Sequence, residues 1–188
     1  MRNRALKSLL MTGLATILLA TGGCFKPTVP DGVLDFELTD LYGNPVSLSE
    51  ERFAGKAVLV EVWGMWCPPC LDQMPYLKHW HDAYRARGFE IIALEFAAFD
   101  PQETDDYATN LRAYLEEREI PYTVVQAGTT SDVAKILPEL KNFRGFPTSI
   151  FVGRDGIVKH VSYGFTESQR GYYEKTIESL LNEPLGTH

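Results

Sequence analysis

The chain has 188 residues, 45% of them hydrophobic and 23% charged, with a formal net charge of −7. That is enough apolar material for one sizeable core and too ordered a composition for a disordered chain. The acidic balance, with no basic cluster beyond the extreme N-terminus, excludes a nucleic-acid partner, because a phosphate binder needs a basic footprint.

The first element is a targeting segment. Arg2, Arg4 and Lys7 precede an apolar run from Leu9 to Ala20, and small residues follow, which is the layout of a secretory signal. The run is shorter than the roughly 20 residues that span a bilayer. Its end, Gly22-Gly23-Cys24, resembles a bacterial lipoprotein signal, although Thr21 stands where a bulky aliphatic residue is usual. That resemblance implies that residues 1–23 are removed and that Cys24 is acylated and anchors the protein to a membrane. Cleavage there takes away three cations and no acid, moving the formal charge from −7 to −10. Residues 24–32, with two prolines and a glycine, read as a tether to a domain over 33–183.

Within that domain, "LDFELTDLYGNPVSL" alternates around Tyr42-Gly43-Asn44-Pro45 and predicts a β-hairpin. "AVLVEVW", 57 to 63, predicts a buried central strand. Leu71, Met74, Leu77, Trp80 and Tyr84 share one side of a helix over 67–87, closed by Gly88 and kinked at Pro75. A second buried strand spans 89–99, an amphipathic helix 103–118, a short strand 122–127 and a brief helix 132–140 interrupted at Pro138. "TSIFV" and "IVKHVSYG" form a hairpin about Arg154-Asp155-Gly156, and a helix over 166–182 ends the fold. Strands alternating with helices, then a hairpin and a helix, give an α/β sandwich with a mixed sheet.

The chemistry concentrates in "EVWGMWCPPCLDQMP", 61 to 75. Cys67 and Cys70 open a predicted helix, so the first sulfur lies over unpaired N–H groups and the positive end of the helix dipole. Both favour a thiolate and make Cys67 the attacking thiol, with Cys70, one turn further in and shielded, as the resolver. Trp66 covers the pair. A structural disulfide is a poor alternative, since so small a loop stabilises little. Zinc needs two further ligands, and His79 and His81, two apart on a helix, face different ways; His160 and His188 are the other two histidines. Cu(I), which soft thiolates select, is the rival function: a copper carrier or chaperone with Met65 or His160 assisting. No metal or other cofactor is assigned. Glu61 shares a strand face with Trp63 and Met65, and burial there would suit it to hold a proton near neutral pH; the alternatives are an edge position or a salt bridge. Glu95, inside "IIALEFA", is a second buried acid able to take that role.

Trp66-Cys67-x-x-Cys70 after a strand, with a distant Phe146-Pro147-Thr148 leading into another, resembles the thioredoxin fold. The preceding hairpin, the "WCPPC" and the insertion around 98–121 resemble its TlpA/ResA-like branch of exported, membrane-tethered thiol–disulfide oxidoreductases. The resemblance implies a cis Pro147 facing the cysteines, with Phe146 and its backbone receiving an extended client chain. It implies that Glu61 accepts the proton of the resolving thiol, and that an acid near the start of the insertion, of which Glu95 is the nearest match, approaches the site. It also implies dithiol or disulfide clients among exported proteins, apocytochrome c and copper-site assembly factors included, and a membrane electron donor that recharges the pair. Peroxidase chemistry of the sister group needs a Thr or Ser and a Pro where this chain has Gly64 and Val60.

Overall fold

The computed structural model describes residues 32–100 and 106–184. The signal segment, Cys24 and the tether up to residue 31 lie outside the described residues, as does His188. Two short strands, β1 (Leu38–Thr39) and β2 (Pro45–Val46), pair antiparallel in the predicted hairpin. Asp40 shapes their turn by accepting the N–H groups of Tyr42 and Asn44, each at 2.8 Å.

The main sheet comprises β3 (Ala57–Trp63), β4 (Phe89–Ala97), β5 (Thr123–Thr129), β6 (Thr148–Val152) and β7 (Val158–Tyr163). Its order is β5-β4-β3-β6-β7; β3, β4 and β5 run parallel, and β6 and β7 are antiparallel additions. The central strands carry almost no exposed residue, as parallel strands covered on both faces require.

Period-two alternation sorts β3 between two cores. Leu59 and Trp63 face one core with α1 (Pro68–Tyr84), α2 (Tyr107–Glu117) and α4 (Arg170–Leu181); Val58, Val60 and Val62 face the other, which Phe36, Phe53, Val133 and Leu137 complete. Helix α1 buries Cys70, Met74, Leu77 and Trp80 at helical spacing. It continues through Pro75, which is exposed, and ends in a 3₁₀ turn capped by Gly88 at φ 88°.

The predicted helix over 132–140 shrinks to α3, Val133–Ile136: Pro138 has no N–H to extend it, and the residue before a proline is pushed out of helical geometry. Among the described residues helix α2 spans Tyr107–Glu117; residues 101–105, where the predicted helix begins, lie outside them. The last helix is entered through a capping box in which Thr166 and Gln169 satisfy each other's backbone N–H groups.

Candidate active site

Strand β3 delivers the chain through Gly64-Met65-Trp66 to Cys67, which is the N-cap of α1 in extended conformation (φ −101°, ψ 104°). Pro68 and Pro69 take the first two helical positions, where a proline's missing N–H is least felt. Cys67 and Cys70 are joined as a disulfide, their Cα atoms 5.3 Å apart.

One expectation is corrected here. The helix end does not present unpaired N–H groups to Cys67. The prolines remove two of them, and the N–H groups of Cys70 and Leu71 both donate to the Cys67 carbonyl, at 3.0 and 3.1 Å. The helix dipole is what remains to favour a Cys67 thiolate. Cys70 is shielded as expected, at 2% exposed, and in this oxidised state Cys67 is nearly as buried, at 3%.

Aromatic side chains form the surface around the pair. Trp66 is 43% exposed, and its indole N–H donates to the Phe96 carbonyl at 2.8 Å. To reach it the ring folds back over Gly64, where an added Cβ would lie 2.4 Å from the indole nitrogen. The Phe146 ring meets Trp66 edge-on at 5.1 Å and also contacts Phe143 and Phe96. The Phe146–Pro147 peptide is cis, as the resemblance implied, and Pro147 leads into β6.

Beneath the helix lie both predicted acids. Glu61 in β3 registers with Ala93 of β4, and Trp63 with Glu95, so alternation puts the two carboxylates on the sheet face that α1 covers. Glu61 is 1% exposed. Its Oε2 accepts from Ser149 Oγ at 2.6 Å and from Gln73 Nε2 at 3.3 Å; Ser149 Oγ in turn lies 3.0 Å from the Tyr173 hydroxyl. There is no ion pair among these partners. Burial pushes the Glu61 carboxyl up to about 8, and the Ser149 and Gln73 hydrogen bonds only partly offset it. Glu95 is fully buried; its Oε1 accepts from the Tyr107 hydroxyl at 2.6 Å and from the Met65 N–H at 3.4 Å. Burial raises it to about 7 against those two donors.

Gln73, Ser149, Tyr173 and Tyr107 thus belong to the site although they escaped notice in the sequence. Gln73 carried a signal, being a polar residue on the buried stripe of α1, three after Cys70. The others acquire their role only through topology. His81 packs into the structure with its Nε2 3.5 Å from Glu90, and His79 is exposed. His160, which the copper reading would place by the pair, lies against Phe151 and Tyr172 instead. Among the described residues no group of three or more His, Cys, Asp or Glu side chains converges as metal ligands would.

The chain is similar to known proteins. The Redoxin family profile matches residues 28–181. The thiol-disulfide oxidoreductase ResA of Bacillus thuringiensis subsp. konkukian (strain 97-27) is 31% identical over 144 residues, covering 76% of this chain and 75% of that protein. The solution structure of a thiol:disulfide interchange protein from Bacteroides sp. gives a TM-score of 0.59 at 26% identity, over 78% of this chain and 90% of that one. The thioredoxin domain of a thiol-disulfide oxidoreductase from Bacteroides vulgatus gives 0.58 at 26% identity, over 78% and 96%. With its cysteine pair joined at the start of α1 and the cis proline preceding β6, the chain belongs to the Redoxin family as a TlpA/ResA-like thiol–disulfide oxidoreductase of thioredoxin fold.

Proposed function

We propose that the protein reduces disulfides in exported client proteins. The Cys67 thiolate attacks a client sulfur, forming a mixed disulfide and releasing one client thiolate. The Cys70 thiolate then attacks the Cys67 sulfur, the mixed disulfide breaks, and the second client thiolate leaves. Two electrons pass to the client, the two client sulfurs take up protons, and the Cys67–Cys70 disulfide is left behind. The observation that carries this reading is the joined pair at the head of α1, above a carboxylate that holds its proton near neutrality.

Glu61 accepts the Cys70 proton. Its raised proton affinity in the oxidised state fits that role, because the oxidised protein is the product in which the proton has already arrived. Trp66 and Phe146 receive the apolar part of an extended client segment beside Pro147. The absence of free helix N–H groups leaves the Cys67 thiolate weakly stabilised and supports a reducing pair, nearer thioredoxin's roughly −270 mV than DsbA's roughly −120 mV.

The signal pattern at residues 1–23 supports export, and Cys24 supports a lipid anchor that tethers the domain at the outer side of the cytoplasmic membrane or elsewhere in the cell envelope. Among the described residues no helix is long and apolar enough to cross a membrane. An exported reductant needs a membrane electron donor, and the resemblance of the "WCPPC" stretch and the insertion to the TlpA/ResA-like branch supports clients in cytochrome c assembly.

Insulin reduction tests the sulfur order. Cys67→Ser abolishes turnover, and Cys70→Ser accumulates a mixed disulfide with the client. Normal turnover by Cys70→Ser overturns the assignment.

A further inference from the structure

The segment that presents Cys67 is fastened to the end of β4 by two hydrogen bonds. One runs from the Trp66 indole to the Phe96 carbonyl. The other runs from the Met65 N–H to Glu95 Oε1, and that oxygen is itself held by the Tyr107 hydroxyl at 2.6 Å. Tyr107 is the first residue of α2, so the insertion between β4 and β5 reaches back to Glu95 and the active-site loop through the phenol of this residue. The contact is built rather than incidental. Glu95 is fully buried and Tyr107 is 7% exposed, and the Phe99 ring meets the Tyr107 ring edge-on at 5.7 Å. The β4–β5 register also shifts at this acid: Glu95 pairs with Gln126 and Phe96 with Gly128, a bulge of the kind found beside active sites. The second oxygen of Glu95, Oε2, is buried with no hydrogen-bond partner among the described residues.

We propose that Tyr107 is a positioning residue for thiol–disulfide exchange: by holding Glu95 Oε1 it fixes the approach to Cys67 and leaves Glu95 Oε2 as a second proton-holding oxygen of the site. The proposal rests on the exchange reading of Cys67 and Cys70 and goes beyond it, since it assigns to the insertion a control over the redox pair.

The physical logic follows from the donors. Both the Met65 N–H and the Tyr107 O–H bond more strongly to an ionised carboxylate than to a neutral acid. Ionised Glu95 therefore draws the Gly64–Trp66 loop tight, and protonated Glu95 relaxes it. Its negative charge near the head of α1 also opposes a thiolate at Cys67. Among the described residues the titratable groups packed on this side of the sheet are Glu61 from β3, Tyr107 and Tyr114 from α2, Tyr122 at the entry to β5, Tyr173 from α4, Tyr76, His81 and Tyr84 from α1, and Cys67 and Cys70 at its head. No charged side chain contributes to the Glu95 shift, which burial raises and the Tyr107 and Met65 donors lower. Losing the phenol hydroxyl removes the nearer donor. The inflection of Glu95 then moves upward by about one to two pH units, the equivalent of a hydrogen bond to a charged group.

The Met65 amide reports Glu95 directly, so the first measurement is its NMR chemical shift against pH in the oxidised full-length protein, where no cysteine of the pair titrates. The expected inflection is near pH 7 in the wild type, one to two units higher in Tyr107→Phe by the donor argument above, and absent in Glu95→Gln. Tyr107→Phe keeps the ring and its packing on Phe99. An unmoved inflection in Tyr107→Phe, or one that persists in Glu95→Gln, overturns the proposal.

The second measurement is the pH profile of Cys67 alkylation by iodoacetamide in the reduced protein, followed by peptide mass spectrometry. Tyr107→Phe and Glu95→Gln each move the thiol inflection downward, and Tyr107→Phe adds nothing in the Glu95→Gln background. An effect of Tyr107→Phe that survives in that background, or no effect in either variant, shows a role in packing alone and refutes the positioning role. Neither readout requires a client. A wild type that fails to reduce insulin while both measurements come out as expected would sink the proposed function and leave the Tyr107–Glu95 linkage standing.

Discussion

Glu61→Gln replaces an ionisable group at the centre of the sheet by an amide of the same shape. In the wild type the folded carboxyl titrates at about 8, against about 4.5 when unperturbed. Between those limits the folded protein holds a proton that the unfolded chain has released, so the unfolded state binds fewer protons and stability falls as pH rises. Below the window both states are protonated and this group contributes no pH dependence. Above it both are ionised, and the folded state carries the whole cost of a buried charge. Each pH unit is worth about 1.4 kcal/mol, and the full window about 5 kcal/mol. Glu61 is 1% exposed with no cation among its partners, so solvent screening does not reduce the effect. The Gln variant lacks this dependence. Subtracting the two stability curves also cancels groups with the opposite trend, such as Glu90, which its bonds to His81 and Lys56 hold below the usual carboxylate range. Urea unfolding of both oxidised proteins from pH 5 to 9 is the assay. The variant's advantage grows by about 1.4 kcal/mol per pH unit up to about 8 and then levels off. Resolution of the mixed disulfide slows by about 10²-fold, the low end for loss of a general base. Parallel stability curves together with unchanged turnover would refute the reasoning, because Glu61 would then be solvated and the base would lie elsewhere.

Gly64→Ala places a methyl 2.4 Å from the Trp66 indole nitrogen and 2.9 Å from the Phe96 carbonyl; the indole swings off, its hydrogen bond is lost at a cost of about 1 kcal/mol, and the Trp66 emission shifts to the red. Trp66→Ala or Phe146→Ala raises KM for a protein disulfide by about two- to tenfold, the worth of an aromatic contact, while reduction of a small aromatic disulfide changes less. Cys24→Ser moves the protein from the detergent phase to the aqueous phase without changing the potential of the Cys67–Cys70 pair; a wild type already confined to the aqueous phase would refute the lipid anchor.

The fold was legible wherever local pattern and tertiary role agree. The run at 57–63 reads as a central strand because it is buried on both faces, and Gly88 marks the end of the first helical segment because a positive φ is needed there. Cys67 and Cys70 were visible for the same reason, since they sit at the boundary between a strand and a helix, whereas Pro147 stood out only through the resemblance to the thioredoxin fold. Glu61 stood out as an acid in an apolar strand, which is costly without partners. Its partners did not stand out: Ser149 and Tyr173 are ordinary in sequence, and β6 and α4 bring them to Glu61 from 88 residues away in the first case. Tyr107 was equally silent, as one aromatic in an amphipathic helix. The reading of free N–H groups at Cys67 failed because Pro68 and Pro69 have no N–H to offer and those of Cys70 and Leu71 are taken by the Cys67 carbonyl. The brief helix over 132–140 was legible together with its interruption at Pro138, and only its extent, Val133–Ile136, is shorter than expected.

Pro68 and Pro69 also bear on how a client is let go. Their rings fix φ in both residues between the sulfurs, so this turn has little freedom to open when the Cys67–Cys70 bond is broken. With the Cα atoms of the pair 5.3 Å apart, Cys70 stays within reach of Cys67 while a client is attached. Its attack is then intramolecular, at an effective molarity that for well-oriented groups reaches on the order of 10⁵ M or more. No thiol dissolved in the surrounding medium competes at that concentration. The covalent complex is consequently short-lived by construction, its lifetime set within the protein, and a client is held only for as long as Cys70 waits to lose its proton.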